Sequence, residues 1–198
     1  MSERVSSGQP RSTSDPVPPR RRDAAATREA VLLAAREVFA ELGYDRAGIR
    51  DIGARAGVDA RLIGRYFGSK EGLFTEVVDL AFEKTMMMGP GHNHQAARSL
   101  LVDSTPEPAD GMLIALRSAS NERAAAIMRD NLERNYQRVV TDGLAGPDAA
   151  GRAALLIAVC SGVQLMRDIL GNRALATGDL DKLVPYLEAA LDAISATP

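Results

Sequence analysis

Residues 49–70, I-R-D-I-G-A-R-A-G-V-D-A-R-L-I-G-R-Y-F-G-S-K, decide the fold of this chain. Their apolar residues recur at helical spacing in two groups, first Ile49, Ile52 and Ala56, then Leu62, Ile63, Tyr66 and Phe67. Between the groups, Gly57 accepts the left-handed conformation that ends a helix, and Asp59 can cap the next one. Gly68 and Ser69 repeat this punctuation before a further helix. Two short helices about a tight turn are the helix-turn-helix pattern, whose second helix enters the major groove of DNA.

Charge is distributed unevenly along the 198 residues. The net charge is −2, but residues 1–70 carry 13 Lys and Arg against 9 Asp and Glu, whereas residues 71–198 carry 11 against 17. The basic excess coincides with the helix-turn-helix, as expected of a DNA-binding head on a body with another task. The single cysteine, Cys160, precludes an intramolecular disulfide and fits a reducing, cytoplasmic location. We expect no membrane partner, since by this reading no apolar run reaches the roughly 18 residues that span a bilayer.

Composition and periodicity divide the chain into three parts. Residues 1–22 are rich in Ser, Pro, Gly and Arg and are predicted to be a disordered basic arm, either a solvated tail or a segment that reaches DNA. Residues 23–69 form the predicted DNA-binding domain, whose first helix covers 24–42 and ends at Gly43. Residues 70–198 form a helical body that begins with a helix to about Lys84. Strand-like alternation is missing, so the predicted fold class is all-α with about nine helices.

The two most apolar predicted helices cover residues 148–170 and 180–195. They either cover the chain's own core or form a dimer interface, because a helix that is apolar on most sides must be covered on most sides. Cys160 is expected to be a small buried hydrophobe. The predicted interface consists of Leu155, Ala158, Val159, Gly162 and Met166 from the first helix and Leu183, Leu187 and Leu191 from the second.

A methionine run, Met86 to Met88, precedes the breaker G-P-G-H-N-H. Methionines there serve either as flexible packing or as the lining of an adaptable apolar pocket. His92 and His94, two apart in a glycine loop, are a weak metal signal, so we predict neither a metal nor a cofactor. The predicted pocket lining is Phe82, Met86, Met87, Met112, Leu116, Met128, Leu132 and Tyr136.

Three motifs together carry a family resemblance. The chain reads A-x-x-V-F-A-E-L-G-Y at the end of the first helix, then I-R-D-I-G-A-R-A-G-V-D, then Y-F-G-S-K-E-G-L-F. Over Thr27 to Phe82 it resembles the tetracycline-repressor (TetR) family of bacterial transcription regulators. The resemblance implies an all-helical homodimer whose first three helices bind DNA and whose last two build a four-helix interface. It also implies that a small, largely apolar ligand enters the C-terminal domain and releases the protein from its operator.

The sequence departs from the family pattern at two places. Gly48 stands where the family usually has a Thr or Ser cap, and a glycine is the weaker cap. Gly64 and Tyr66 stand where the family usually has a tyrosine and, two residues later, a histidine. The usual tyrosine contacts a phosphate, which Gly64 cannot do. Either Tyr66 or Arg65 takes over that contact, or the backbone lies closer to DNA at Gly64.

Arginines dominate the predicted DNA contacts. Arg61 and Arg65 are four residues apart on one face, and an arginine fork on guanine is the commonest specific base contact. We expect Arg61 to read a base, Arg65 to meet a base or phosphate, and Arg50 to lie at a groove edge or phosphate. Tyr66 is either a phosphate donor or a core ring, and Lys70 matches the family lysine that meets phosphate. The predicted DNA-binding set is Arg50, Asp59, Ala60, Arg61, Gly64, Arg65, Tyr66 and Lys70.

The sequence thus predicts a homodimeric, ligand-released repressor that binds a near-palindromic operator. Two alternatives stay open: an architectural DNA-binding protein without ligand control, and a helical ligand carrier or enzyme. The sequence has no Ser/His/Asp set, phosphate loop or H-E-x-x-H motif, so the prediction is that the protein is not an enzyme.

Overall fold

The computed structural model describes residues 19–82, 88–103 and 110–196, with side chains from Ala24 onward, and within those ranges it contains helices and no strand. The all-α prediction is confirmed. The helices are α1 (Pro19–Arg46), α2 (Ile49–Ala56), α3 (Ala60–Phe67), α4 (Lys70–Ala81), α5 (Asn93–Leu101), α6 (Asp110–Ser118), α7 (Glu122–Asn131), α8 (Arg138–Asp142), α9 (Ala149–Gln164), α10 (Arg173–Ala176) and α11 (Val184–Ser195).

Two π-helical segments and one 3₁₀ turn complete this order. Leu132–Gln137 joins α7 to α8 as a π-helix, and Leu165–Ile169 extends α9 in the same form. The 3₁₀ turn Leu180–Lys182 precedes α11. Since α7 and α8 form one continuous rod and α10 is a single turn, the described ranges hold nine main helices, as the sequence predicted.

Helix α1 differs from its prediction at both ends. It begins at Pro19, so the backbone of residues 20–22 is helical and does not belong to a disordered arm; proline suits a first helical turn because it needs no N–H partner there. Residues 1–18 of the predicted arm lie outside the described residues. At the other end Gly43 kinks the helix, with φ 72° and ψ 173°, and the chain continues to Arg46.

An aromatic cluster holds the segment after that kink. The ring of Tyr44 stacks on Phe39, with centroids 6.2 Å apart, and meets Phe74 of α4 edge-on at 4.9 Å. Phe39 and Phe74 also meet edge-on at 4.9 Å. All three are buried, and aromatic pairs in these arrangements stabilise a core beyond the area they remove from water. Tyr44 therefore packs back onto the part of α1 that precedes the kink.

This cluster belongs to a continuous core that we call the head core. It includes buried residues of the helix-turn-helix such as Ile52 and Ile63, and it does not stop at residue 70. Leu73 and Val77 of α4 belong to it, and so do residues much further along the chain, Ile114 of α6 and Ala124 of α7. The helices that present the DNA-binding surface are thus packed directly onto the first helices of the body.

A second cluster, the body core, lies between α5, α8, α9 and α11 and includes Leu100, Val140, Leu156 and Leu191. Asn93 is buried beside it and joins α5 to α11. Its side-chain oxygen accepts from the N–H of Gly89 at 2.8 Å. Its amide nitrogen donates to Asp192 Oδ1 at 2.8 Å and to Ser195 Oγ at 3.0 Å. A buried amide with all these partners fixes the register of the two helices.

The α9 rod corrects one expectation about membranes. Ala149–Ile169 spans 21 residues with a mean hydropathy of 1.6 in its most apolar window, so by length and composition it could cross a membrane. The sequence analysis overlooked this segment because Arg152 and Arg167 interrupt the apolar run. These two charges do not lower the mean hydropathy of the segment below that of a membrane-spanning helix. Only 22% of that window is buried within the chain. One face of α9 packs on the body core, and the opposite face is apolar and uncovered.

Candidate nucleic-acid interface

Local hydrogen bonds shape the helix-turn-helix as the sequence predicted. Gly57 adopts the left-handed conformation, φ 69° and ψ 29°, and ends α2. The Asp59 carboxylate accepts from the Arg61 N–H at 2.7 Å and caps α3. Ser69 Oγ accepts from the Gly72 N–H at 3.0 Å and caps α4. Gly48 precedes α2 without a side-chain hydrogen bond, which matches its reading as a weak cap.

The recognition helix α3 has one buried and one open face. Ile63 is 1% exposed and Phe67 7% exposed, and both belong to the head core. Asp59, Arg61, Gly64 and Arg65 are exposed and Ala60 is half-buried. The residues predicted to face DNA therefore lie on the surface that points away from the protein.

Apart from Arg46, which donates to the Leu42 carbonyl oxygen at 3.1 Å, the described arginines of the head fall into two groups. Arg28, Arg36 and Arg55 are engaged by carboxylates of neighbouring helices: Glu76, Asp110 and Glu41 respectively. Arg50, Arg61 and Arg65, by contrast, are exposed and show no side-chain hydrogen bond or ion pair with any described residue. The three arginines predicted to meet DNA are thus the ones left available to an outside anion.

Arg55 shows what the free arginines lack. Its two terminal nitrogens donate to the two Glu41 carboxylate oxygens at 2.7 and 2.8 Å. These hydrogen bonds lower the pKa of Glu41 and raise the pKa of Arg55. The pair ties α2 to α1 and directs the Arg55 guanidinium back to the protein.

Two further predicted contacts lie at the edge of this surface. Tyr66 is half-buried, packs against the head core and meets Phe67 edge-on at 6.4 Å, so both readings of its role stay open. The Lys70 ammonium lies 4.6 Å from the Tyr44 ring centroid, at the start of α4. Partial burial lowers the pKa of Lys70. A lysine held at a helix N-terminus is well placed for a phosphate, because the helix end itself favours an anion.

The predicted ligand pocket is brought together only in part. The rings of Phe82 and Tyr136 meet edge-on with centroids 6.2 Å apart, and Met128 packs at the adjacent edge of the head core. Met112 is half-buried, whereas Leu116 and Leu132 are 48% and 38% exposed. Met86 and Met87 lie outside the described residues.

A small open cavity of about 100 Å³ lies elsewhere in the body, where the sequence did not place one. Met88 and Gly89 form one wall of the cavity. The methionine run and the G-P-G-H-N-H segment after it were therefore the sequence features from which the cavity could have been predicted. Residues of α8 form the other wall. The full lining is Met88, Gly89, Pro90, His92, Val139, Val140 and Gly143.

The structure exposes most of the predicted interface residues on α9 but covers those at the start of and within α11. On α9, Leu155, Ala158 and Met166 are exposed, and Val159 and Gly162 are partly so. On α11, Leu191 is 0% exposed inside the body core, so it cannot meet a partner. Leu183 and Leu187 also pack inward. The reason is that α11 is apolar on two sides, and its outward side carries instead Tyr186, Ala189, Ala190 and Ala193.

The remaining candidates for chemistry have structural roles. Cys160 is buried with its sulfur 3.2 Å from that of Met88, and burial raises the pKa of the thiol to about 11. It is the buried hydrophobe that the sequence predicted. His94 lies 2.8 Å from the Glu188 carboxylate across α5 and α11. Within the described ranges, no three His, Cys, Asp or Glu side chains cluster as metal ligands would.

Comparison with solved structures finds the same fold. NalD, the secondary repressor of the MexAB-OprM multidrug efflux pump in Pseudomonas aeruginosa, is 18% identical, with 86% of this chain and 95% of that one covered and a TM-score of 0.59. A transcriptional regulator from Rhodococcus sp. RHA1 is 25% identical, with 86% and 99% covered and a TM-score of 0.55. A putative transcriptional regulator from Pseudomonas aeruginosa PAO1 is 22% identical, with 90% and 92% covered and a TM-score of 0.57.

Family models match both parts of the chain. Residues 31–77 match the model of bacterial regulatory proteins of the tetR family, and residues 92–194 match the tetracyclin repressor-like C-terminal domain. None of the curated proteins matches the chain. The second model alone covers more than half of the sequence, and its match begins beyond the helix-turn-helix. The chain belongs to the TetR family of DNA-binding transcription regulators.

Proposed function

We propose that this protein is a homodimeric repressor that binds a near-palindromic operator through α3 and leaves it when a small apolar ligand binds the body. The observation that carries DNA recognition is the set of three arginines without a protein partner among the described residues: Arg50, Arg61 and Arg65. Holding a guanidinium away from nearby carboxylates keeps it available for bases and phosphates. Family members are generally non-enzymatic, soluble DNA-binding proteins, and we place this one in the cytoplasm.

Each contact has a distinct proposed role. Arg61, in the first turn of α3, reads a guanine edge in the major groove, and Arg65 one turn later meets a base or phosphate. Arg50 from α2 and Lys70 from α4 grip the phosphates on either side of the groove. Phosphate contacts set the register of the protein on DNA, whereas base contacts supply the sequence preference.

Replacing Arg61 by alanine should weaken binding to the specific operator by about 5- to 150-fold, because one good bidentate pair is worth roughly 1–3 kcal/mol. Binding to unrelated DNA of the same length should change much less. Fluorescence anisotropy measures both affinities, with a labelled DNA fragment from upstream of the protein's own gene, shortened to the footprinted site, and with unrelated DNA.

Arg55→Ala is the matched control, since it removes another exposed arginine, one that is already bonded to Glu41. It should leave operator affinity within about threefold, because an exposed ion pair contributes little to stability. Equal losses in the two variants would contradict the assignment of Arg61. A wild-type protein that shows no saturable binding at moderate salt would contradict the repressor itself.

A second copy of the chain is the proposed cover for the outward face of α9. That face presents Leu155, Ala158 and Met166 beside the open side of α11. Both ends of the rod are tied to the body: Arg152 donates to the carbonyl oxygen of Ser195 at 2.9 Å, and Arg167 donates to that of Leu100. A helix fastened to a globular core at both ends is suited to pack against another protein surface and would have to detach to enter a bilayer.

The end of α4 is the proposed place where ligand binding reaches the DNA-binding head. Phe82 follows α4 and touches Tyr136, which lies in the π-helix between α7 and α8. Such π-helical insertions recur at functional sites. Just before it, Asn131 donates to Asp79 of α4 at 2.6 Å. A ligand that separates the two rings would shift α4, whose first residue is Lys70, and would favour a spacing of the heads that does not fit DNA.

Tyr136→Ala should raise the concentration of a releasing compound needed to free operator DNA by about tenfold, a typical coupling energy between two sites. Affinity for the operator without the compound should stay within about threefold. A panel of small apolar compounds, titrated into the labelled protein–operator complex, measures release.

Val139→Ala is the companion variant, because Val139 lines the small cavity beside Met88. If Val139→Ala blunts the response while Tyr136→Ala responds like the wild type, the ligand binds in that cavity and the proposed pocket is wrong.

A further inference from the structure

Gly64 lies in the middle of the recognition helix, and no packing contact within the described protein requires a glycine there. A Cβ built on it would meet no described atom within 4 Å. Two nearby glycines, by contrast, are restricted by packing. A Cβ on Gly53 would lie 3.0 Å from the Val58 carbonyl oxygen, and one on Gly72 would overlap the carbonyl oxygen of Phe67.

Gly64 also has no conformational reason. It lies within the eight residues of α3 and is not among the glycines with a positive φ. Glycine is among the least favourable residues in a helix interior, and short helices tolerate that cost poorly. Any alanine would fit the space and strengthen the helix.

The position of Gly64 shows where the missing side chain matters. It is exposed and lies one helical turn after Arg61, so the two positions are neighbours on the helix surface, and Arg65 follows it directly in the chain. A Cβ at this position would therefore extend outward from the exposed surface beside Arg61 and meet no described atom of the protein.

We propose that Gly64 is a close-approach site, at which the backbone of α3 lies against base edges in the major groove. This inference rests on the proposed DNA-binding function. Without a Cβ the helix axis comes nearer the groove floor, so Arg61 and Arg65 reach bases from a shorter distance. Gly64 thereby determines which operator sequences fit, and the protein needs no tyrosine at this place.

The test is a series of variants, Gly64→Ala, Gly64→Ser and Gly64→Leu, measured for folding and for DNA binding. Gly64→Ala should raise the Tm by roughly 2–4 °C, the shift expected for the alanine preference in a chain of this size. The same variant should bind the footprinted operator about tenfold more weakly, and Gly64→Leu about 100-fold, in line with the worth of a base contact. Unrelated DNA of equal length should be bound within about threefold by every variant.

A higher Tm together with weaker operator binding in Gly64→Ala distinguishes a role in DNA contact from a role in folding. If Gly64→Ala binds the operator as tightly as the wild type, the close-approach site is overturned while the repressor stands. A lower Tm in Gly64→Ala would show that the chain itself restricts the position, which also overturns the inference. A wild-type protein that binds no operator overturns both proposals.

Discussion

Arginine in place of Ala158 is expected to split the dimer and, with it, to abolish tight operator binding. Ala158 is exposed at the middle of the outward face of α9, the proposed interface, and its small side chain would let a helix of the second copy come close. An unpaired charge buried there costs several kcal/mol, so the dimer dissociation constant should rise by at least about 100-fold. Since two heads on one operator gain about 10²- to 10⁴-fold from acting together, monomers should bind correspondingly more weakly.

Ala150→Arg makes the matched comparison. Ala150 is also an exposed alanine of α9, but it lies on the flank of the rod. Sedimentation velocity should report a dimer for the wild type and Ala150→Arg and a monomer for Ala158→Arg. The two dimeric proteins should bind the operator tightly, and the monomeric variant should bind it weakly. A dimeric Ala158→Arg would show that the partner covers another surface.

Alanine in place of Gly43 is expected to destabilise the protein by about 2–6 kcal/mol, the sum of a conformational cost and an overpacking cost. Its φ of 72° and ψ of 173° belong to a region that side chains other than glycine enter at a cost of order 1–3 kcal/mol. A Cβ there would also overlap the carbonyl oxygen of Arg117 at the end of α6, and overpacking adds about 1–3 kcal/mol. Urea denaturation followed by circular dichroism measures the free energy of unfolding.

Gly57→Ala separates the two costs, because Gly57 is left-handed at φ 69° but a Cβ on it would meet no described atom within 4 Å. It should cost only about 1–2 kcal/mol. Equal losses in the two variants would mean that α6 yields at Arg117.

The Arg117 contact belongs to a grip of the body on the head. The Arg117 guanidinium donates to the Ala40 carbonyl oxygen, the Tyr44 N–H donates to Ser118 Oγ at 3.0 Å, and Asn121 donates to Asp45 Oδ1 at 2.7 Å. The turn between α6 and α7 thus holds the chain on both sides of the Gly43 kink. We therefore expect Gly43→Ala to weaken these contacts between the body and the head while α1 itself stays helical.

The sequence predicted the helix-turn-helix well because its signals are local. Gly57, Asp59 and Ser69 act on backbone groups within three residues, so their spacing alone sets where α2 ends and α3 and α4 begin. The free arginines were found for the same reason, since one face of α3 is already assigned once Ile63 and Phe67 are placed inside.

Features that depend on distant contacts were not predictable in this way. Helix α11 is apolar on two sides, and only its packing on α5 and α9 shows that Leu191 faces inward. Gly43 looks like a helix end in sequence, and its role as a kink depends on Arg117, more than 70 residues away. Asp148 precedes α9 in a left-handed conformation, φ 55°, and makes no side-chain capping bond, although aspartate is a favoured capping residue.

The head core has a consequence for exchanging parts between regulators. Ile114 of α6 and Ala124 of α7 belong to the same buried cluster as Phe74 of α4. A hybrid protein that joins residues 23–69 to the C-terminal domain of another regulator would therefore keep the DNA-binding surface but lose part of the core that supports it. A transferable unit would have to carry α4, α6 and the first turn of α7 as well, so that operator preference and the inner wall of the body are inherited together.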